Sequence, residues 1–323
     1  MVLPEFDSFA EILDSNPLVL GTEEAIPWDK LSQCDLLIWE WGWTAVPPAT
    51  VLEIRERMPD LKIILFTGPL DRFWRELDYR NFELHLKAAK ASDAVGIMLR
   101  DMQSYYEALL PHAFVFHMPV PVDSELLATE PPATSSRTIF LGAPVRFTGI
   151  ATQLPINTFV TFRRLRESAG DLKGICFAYG KNEKTEAAEI LAQLGLSDSI
   201  RIQGYMRPLF RFLKSMAQCR AGIYLPQSFV QGRLALMAAC IGLPMVLSDD
   251  IETHKYLYPE TTVRWYETTK AADLTHRLLT DETFYRQTVE LARERIAYYS
   301  VDQCAARMRH AVNWISRNRA ARA

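Results

Sequence analysis

The stretch AGIYLPQSFVQGRLALMAACIGLPMVLS, residues 221–248, is the clearest indication of how this chain folds. It opens with an apolar run at 221–225, continues into a helical pattern at 232–241 and returns to an apolar run at 244–248. Gly242 and Pro244 follow the last helical residue and are typical of a helix C-terminus. Two short, continuously apolar strands joined by a helix form a βαβ unit, so this stretch predicts a buried parallel sheet.

The same alternation extends along the chain in both directions. Further apolar runs predict strands at residues 17–20, 35–41, 62–67, 94–99, 114–118, 137–142, 174–179, 200–203 and 262–265. Helical spacing of apolar residues predicts helices at 49–58, 79–91, 101–110, 184–194, 207–218, 269–279, 281–298 and 302–318. Strands that alternate with helices over the whole length predict an α/β protein built on parallel sheets.

A segment rich in Pro, Ser and Thr at residues 121–136 separates two such series. We therefore expect a first domain at 1–122, a second at 136–300 and a closing helical segment at 301–323. In that segment Ala305, Met308, Val312 and Ile315 repeat at helical spacing and require an apolar partner. The first domain opens with EFDSFAEIL and PLVL, so the usual first strand with its glycine turn is missing from the predicted set.

Composition excludes several classes of protein. The chain has 323 residues and a formal net charge of −3, so it is long enough for two domains and has no global basic charge for nucleic acid. No run of about 20 apolar residues predicts a membrane span. Five dispersed cysteines predict a reducing compartment, and the opening MVLPEFDSF does not resemble a signal peptide, so we expect a cytoplasmic protein. The cysteines are Cys34, Cys176, Cys219, Cys240 and Cys304.

Several segments, taken in order, resemble the large family of retaining GT-B glycosyltransferases (glycosyl transferases group 1 type). They are ASDAVGIMLRDMQSYYEALLP at 91–111, HMPVPVD at 117–123, TIFLGAPVRFTGI at 138–150, the run at 200–228, LALMAACIGLPMVLSD at 234–249 and AYYSVDQCAARMRHAVNWI at 297–315. The resemblance implies an α/β GT-B fold: two Rossmann-like domains facing each other across a cleft, with the C-terminal helix crossing back to the first domain. It also implies that the second domain binds the nucleotide-sugar donor.

In that family an Arg and a Lys after the first glycine loop bind the diphosphate, and two glutamates eight positions apart bind the sugar and the ribose. Here Ala143 and Thr148 occupy the cation positions, while Phe229 and Met237 occupy the glutamate positions. Arg146 lies in the same loop and can bind a diphosphate bidentately. The donor motif therefore departs from the family's pattern at each of these positions.

Other polar and glycine residues remain where the resemblance places the donor. In a shifted register Gln231 and Gly232 fall on the family's Glu–Gly, and Gln231 can bond sugar hydroxyls. The predicted start of helix 232–241 offers backbone N–H groups to a phosphate, and Tyr205 follows a strand where a base can stack. The candidate donor-binding residues are Gly142, Arg146, Thr148, Gly149, Tyr205, Ser228, Gln231, Gly232 and Arg233. An ordinary loop arginine, a capped helix and a packed tyrosine are the simpler interpretations.

Acceptor-side candidates follow two strands of the first domain, because ligands of open α/β sheets bind outside the carboxyl ends of strands. Glu40 and Asp71 are the available carboxylates and the candidate catalytic residues. The aromatic and basic candidates are Trp41, Trp43 and Arg72, and we expect Trp39 to pack in the core. The six histidines have no metal-ligand spacing, and the resembling chemistry needs no metal or other cofactor, so none is predicted. We expect His117 to be a core histidine.

Two functions stay open from the sequence. One is an enzyme that moves a sugar from a nucleotide-sugar to an unknown acceptor. The other is a non-catalytic GT-B-like protein that binds a sugar, a nucleotide or a partner glycosyltransferase, which the altered donor motif favours. A sugar epimerase on the same fold is less favoured, because no His or acidic pair occupies the needed positions. Arginines at 307–322 also permit a peripheral membrane contact, although a solvated basic end is the simpler interpretation.

Overall fold

The computed structural model describes residues 26–41, 47–67, 79–123, 136–142, 156–178, 180–204, 209–226 and 232–320. The chain divides into two compact units, Met1–Pro121 with Tyr299–Ala323, and Val122–Tyr298. The described strands form two separate parallel sheets, one in each unit. The α/β class predicted from the sequence is therefore confirmed.

The first unit contains a four-stranded sheet in the order β1-β2-β3-β4. These strands are β1 (Leu36–Trp41), β2 (Lys62–Thr67), β3 (Ala94–Ile97) and β4 (Phe114–His117). Its connecting helices are α1 (Trp28–Leu31), α2 (Pro48–Arg57), α3 (Tyr79–Lys90) and α4 (Gln103–Leu109), the last preceded by a 3-10 turn at Arg100–Met102. The predicted strand at 17–20 lies outside the described residues.

One face of this sheet packs on its own helices, and Trp39 is at the centre of that core. Its side chain is 2% exposed, and its Nε1–H donates to Ser92 Oγ at 3.0 Å. Trp39 is thus a core residue, as predicted. Arg55 of α2 donates hydrogen bonds to the carbonyl oxygens of Ala91 and Leu61 and to the Asp93 carboxylate, and so links α2 to the segments that precede β2 and β3.

The second unit contains a six-stranded sheet in the order β10-β9-β8-β5-β6-β7. Its strands are β5 (Thr138–Phe140), β6 (Lys173–Ala178), β7 (Ile200–Gly204), β8 (Ala221–Tyr224), β9 (Met245–Ser248) and β10 (Thr262–Val263). Its helices are α5 (Ile156–Ala169), α6 (Lys181–Gln193), α7 (Leu209–Met216), α8 (Arg233–Ile241), α9 (Glu252–Leu257), α10 (Thr268–Thr280) and α11 (Glu282–Ile296). Two 3-10 turns lie at Pro259–Thr261 and Ala297–Tyr299. All residues of β8 and β9 are buried, which explains their continuously apolar sequences.

The long helix α12 (Val301–Ala320) belongs to the first unit. Ala305, Met308 and Ile315 are buried against Ile64, Phe116 and neighbouring residues of the four-stranded sheet, and Val312 is partly buried there. Aromatic contacts between Phe114 and Trp314, with ring centroids 5.3 Å apart, extend this interface. The predicted return of the C-terminal helix to the first half of the chain is confirmed.

Among the described residues, three helices were missing from the sequence prediction: α1, α5 and α9. In α5 the β-branched residues Thr158, Val160 and Thr161 lower the intrinsic helix propensity. Burial of Phe159, Phe162 and Leu165 outweighs that preference, since each fully buried apolar side chain contributes about 1.5–3 kcal/mol. The short α9 is too brief to show a clear period.

Candidate functional site

The order of the six-stranded sheet reverses at β5. From β5 the chain proceeds through β6 and β7 on one side, and then places β8, β9 and β10 on the other side. In an open α/β sheet, ligands bind outside the carboxyl ends of the strands at such a switch point. Here those strands are β5, which leads into Gly142, and β8, which ends at Tyr224.

Gly142 and Tyr224 fit together so closely that residue 142 has no room for a side chain. Gly142 has a φ of +71°, and a Cβ atom built on it would lie 2.5 Å from Tyr224 Cδ2. The Tyr224 ring in turn meets the His254 ring, with centroids 6.2 Å apart in an edge-on arrangement. Gly142, predicted as a donor-binding residue, is thus part of a tightly packed layer at the switch point.

The N-terminus of α8 lies next to His254. Gly232 precedes the helix with a φ of +70°, and a Cβ there would lie 3.1 Å from Ile251 Cγ2 and 3.2 Å from His254 Cδ2. Gly232 has no side chain with which to cap the helix. A helix N-terminus favours anions through its N–H groups and its dipole. Arg233, the first residue of α8, is exposed to solvent and adds a positive charge at this end.

His254 is a buried, neutral histidine whose tautomer follows from its contacts. The side chain has no exposed surface, and this burial lowers its pKa to about 4. Its Nδ1 lies 2.9 Å from the backbone oxygen of Ser248. Because a carbonyl only accepts, Nδ1 carries the proton and Nε2 is left as an acceptor.

Ser248 Oγ, Asp250 Oδ2 and His254 Nε2 are buried without a hydrogen-bond partner within the part of the chain that the structure describes. Burial, with a smaller contribution from Asp249, also raises the pKa of the Asp250 carboxyl. An unsatisfied buried polar group typically costs about 1–3 kcal/mol, so each of these atoms calls for an explanation.

Most of the predicted site residues lie outside the described residues. These are Trp43, Asp71, Arg72, Arg146, Thr148, Gly149, Tyr205, Ser228 and Gln231. Glu40 and Trp41 are the last two residues of β1, where the backbone is described and the side chains are not. Gly142, Gly232 and Arg233 are described, and the two glycines are linked through the Tyr224–His254 ring contact, Gly142 next to Tyr224 and Gly232 next to His254.

The first unit has a buried histidine in a comparable place. His117 ends β4, is 6% exposed, and has a pKa lowered to about 4, first by burial and further by Arg307 and Arg100. Its Nε2 lies 3.3 Å from the backbone oxygen of Met98. The prediction of a core histidine is confirmed.

Sequence reasoning missed Tyr224, Ser248, Asp250 and His254. Tyr224 and Ser248 end consecutive strands, so the rule that ligands meet strand carboxyl ends was sufficient to nominate them. His254 had no such signal, because it lies on the unpredicted helix α9. In the described ranges no group of three or more His, Cys, Asp or Glu side chains is placed to hold a metal ion, and no helix is long and apolar enough to cross a membrane.

No family model and no curated protein matches this sequence. Solved structures do match. The α,α-trehalose-6-phosphate synthase from Burkholderia multivorans is 13% identical with a TM-score of 0.70, covering 89% of this chain and 72% of that one. This chain has the GT-B fold.

Two further GT-B neighbours were solved with nucleotides. A trehalose-6-phosphate structure from E. coli, bound with UDP-2-fluoro glucose, is 14% identical with a TM-score of 0.67 and covers 86% of this chain and 74% of that one. S. aureus TarM, in complex with fondaparinux, α-GlcNAc-glycerol and UDP, is 13% identical with a TM-score of 0.68. That match covers 86% of this chain and 55% of TarM. At these identities the likeness concerns the fold.

Proposed function

We propose that this GT-B chain is a glycosyltransferase that moves a sugar from a nucleotide-sugar donor to an acceptor, which can be a glycan, a lipid, a protein or a small molecule. The observation that carries the proposal is the switch point of the six-stranded sheet. There Gly142, which follows β5, packs on Tyr224, and Gly232, at the N-terminus of α8, packs on His254, whose ring contacts that of Tyr224. Nucleotide-containing structures among the neighbours of this fold support the same donor class.

In this proposal the donor diphosphate lies between the 142–149 loop and the start of α8. Arg146 supplies the main cation and Arg233 a second, while Thr148, Gly149, Ser228, Gln231 and Gly232 complete the donor contacts and Tyr205 stacks on the base. Preorganised charge at the leaving diphosphate is the largest expected catalytic contribution. Glu40 and Asp71 are the proposed catalytic carboxylates of the first unit, with Trp41, Trp43 and Arg72 on the acceptor side. We propose that the reaction needs no metal and that the protein is cytoplasmic.

A thermal-shift screen tests the donor class. UDP-glucose, GDP-mannose, ADP-glucose and dTDP-glucose are added separately, and each is compared with the free sugar as a control. A ligand that binds only the native state raises the unfolding free energy by about 2.7 kcal/mol at a concentration 100 times its Kd. We expect one nucleotide-sugar to raise the melting temperature and the free sugars to leave it unchanged. No shift with any nucleotide-sugar contradicts the proposal.

Arg146→Ala tests the proposed diphosphate contact. Loss of a hydrogen bond to a charged group typically costs about 1.5–3 kcal/mol, which corresponds to an affinity about 10- to 150-fold weaker. Arg146→Lys should restore only part of it, because an ammonium lacks the bidentate geometry. Arg163→Ala, an exposed arginine of α5, is the matched control and should leave affinity unchanged. Calorimetry measures all three variants, and parent-like affinity in Arg146→Ala contradicts the assigned role.

A non-catalytic GT-B-like binding protein is the second candidate. The observation that favours it is that Met237, in a glutamate position of the resembling family, is a half-buried residue of α8 and offers no hydrogen bond. The two candidates differ in one measurement. An enzyme releases the nucleoside diphosphate from its nucleotide-sugar when acceptor or water is present, whereas a binding protein returns the nucleotide-sugar intact.

A further inference from the structure

Unpaired polar atoms of Ser248, Asp250 and His254 follow one another at and after the carboxyl end of β9. Ser248 and His254 have no exposed surface, yet Ser248 Oγ and His254 Nε2 have no hydrogen-bond partner among the described residues. At the opposite end of the same strand the buried hydroxyl of Thr261 donates to the Met245 carbonyl oxygen at 2.6 Å. The missing bonds are therefore a feature of the ligand-facing end of β9 and not of the strand as a whole.

The ring carbon bonded to the unpaired nitrogen of His254 lies close to the start of α8. His254 Cδ2, which is bonded to Nε2, lies 3.2 Å from the position a Cβ atom would have on Gly232. Residue 232 has no side chain to cover that edge, and a φ of +70° disfavours one. The helix end and an unpaired, fully buried polar side chain thus meet at the same place.

The two groups require different properties of a ligand. The N-terminus of α8 presents N–H donors, so it needs an acceptor. His254 Nε2 is an acceptor, because its Nδ1 already donates to the Ser248 carbonyl oxygen, so it needs a donor. A phosphate oxygen satisfies only the helix, whereas a hydroxyl group both donates and accepts. Ser248 Oγ can take either role.

We propose that Ser248 and His254 form a hydroxyl-recognition subsite at the N-terminus of α8 and determine specificity for the hydroxyl groups of the nucleotide-sugar, either those of the sugar or those of the ribose. This inference rests on the proposed function, which it deepens by naming residues that the sequence did not indicate. Asp250, whose Oδ2 is also unpaired among the described residues, borders the subsite and supplies a further carboxyl oxygen.

Ser248→Ala is the decisive variant, because affinity and stability should change in opposite directions. Removing a buried hydroxyl that has no partner should leave the melting temperature unchanged or raise it. Affinity for the nucleotide-sugar should fall about 3- to 10-fold, the effect of one ordinary hydrogen bond. Thr261→Val is the matched control. It breaks a paired hydroxyl at the other end of β9, so it should lower the melting temperature and leave affinity unchanged.

His254 is tested by a pair of variants. Asn can keep the donor that replaces Nδ1 but offers no acceptor at Nε2, whereas Gln can place its amide oxygen near the Nε2 position. We expect His254→Asn to lose about tenfold in affinity and His254→Gln to retain more, a rescue that a purely structural role does not produce.

Calorimetry with the four nucleotide-sugars of the screen, each beside its own nucleoside diphosphate, separates the sources of the hydroxyl. A loss confined to the nucleotide-sugar assigns the subsite to the sugar, and an equal loss for the nucleoside diphosphate assigns it to the ribose. Parent-like affinity in both Ser248→Ala and His254→Asn overturns the subsite while the donor proposal stands. If the parent binds none of the four nucleotide-sugars, the proposed function falls and the subsite with it.

Discussion

His117 and His254 are buried to a similar degree in the two units, and the pKa of each is lowered to about 4. Their hydrogen bonds differ. In the first unit His117 Nε2 meets the Met98 carbonyl oxygen, while in the second unit His254 uses Nδ1 for the Ser248 carbonyl oxygen and its Nε2 stays unpaired among the described residues. Burial and charge state therefore do not distinguish the core histidine His117 from the proposed site histidine His254, but hydrogen bonding does.

The same contrast holds for two buried serines. Ser92 of the first unit donates to the Ala88 carbonyl oxygen and accepts from Trp39 Nε1, whereas the hydroxyl of Ser248 in the second unit is unpaired within the described ranges. Fully paired polar groups stabilise a core, and unpaired ones lower its stability. The unpaired hydroxyl of Ser248 thus lowers stability where the paired hydroxyl of Ser92 does not, which is typical of a ligand site.

The largest expected effect is the loss of folding stability in acid that results from protonation of both histidines. In the unfolded chain a histidine has a pKa near 6.5, and in the folded chain these two have a pKa of about 4. Between those values the unfolded state binds protons that the folded state does not, so stability falls as the pH decreases from about 6.5 to 4. Each histidine should contribute a loss of about 3 kcal/mol over that window.

Urea unfolding of the parent, His117→Asn and His254→Asn at pH 7 and at pH 4.5 measures this response. Each variant should lose less stability on acidification than the parent, because one titrating group is gone. Carboxylates contribute equally to all three proteins and cancel in the comparison. A parent-like acid response in either variant would show that its histidine is protonated or accessible in the folded chain.

The next largest effect on stability concerns the close packing of Gly142 on Tyr224 at the switch point of the second unit. Gly142→Ala introduces a Cβ at 2.5 Å from Tyr224 Cδ2 in a left-handed backbone conformation, so it should destabilise the second unit by about 2–4 kcal/mol. Gly195→Ala is the matched control: its φ is +67°, but nothing among the described residues lies within 4 Å of the new Cβ. It should cost only about 1 kcal/mol. Equal midpoints in chemical denaturation would contradict the close Gly142–Tyr224 contact.

The smallest expected effect on stability comes from replacing the buried serines Ser92 and Ser248 by alanine. Ser92→Ala leaves the buried Trp39 Nε1–H without its acceptor and should cost about 1–3 kcal/mol. Ser248→Ala removes an unpaired hydroxyl and should be neutral or stabilise the chain by up to about 1 kcal/mol. Denaturation curves of the two variants give the comparison directly. A clear loss of stability in Ser248→Ala would show that its hydroxyl is bonded.

Much of the fold could be predicted because burial is periodic in the sequence. β2 was predicted with its observed ends, and β8, β9 and α8 within one residue of theirs. Gly142 and Gly232 were nominated from the family resemblance, which places them in the glycine loop and on the Glu–Gly pair, and the structure gives both a positive φ. Tyr224 and Ser248 also end strands, so the strand-end rule was sufficient to nominate them, but the resemblance drew attention to other residues.

The sequence by itself determined the α/β class, the position of most elements and the apolar face of α12, because these depend on periodicities within one segment. Only the tertiary structure decided that α5 is a helix, that Tyr224 fills the switch point and that His254 Nε2 has no partner among the described residues. Each of these depends on residues distant in the chain, such as Thr158, whose hydroxyl accepts from the Leu225 amide at 3.1 Å. A hydrogen bond needs two groups that are close in space. The sequence shows that each group is present, but it does not show which groups distant in the chain meet.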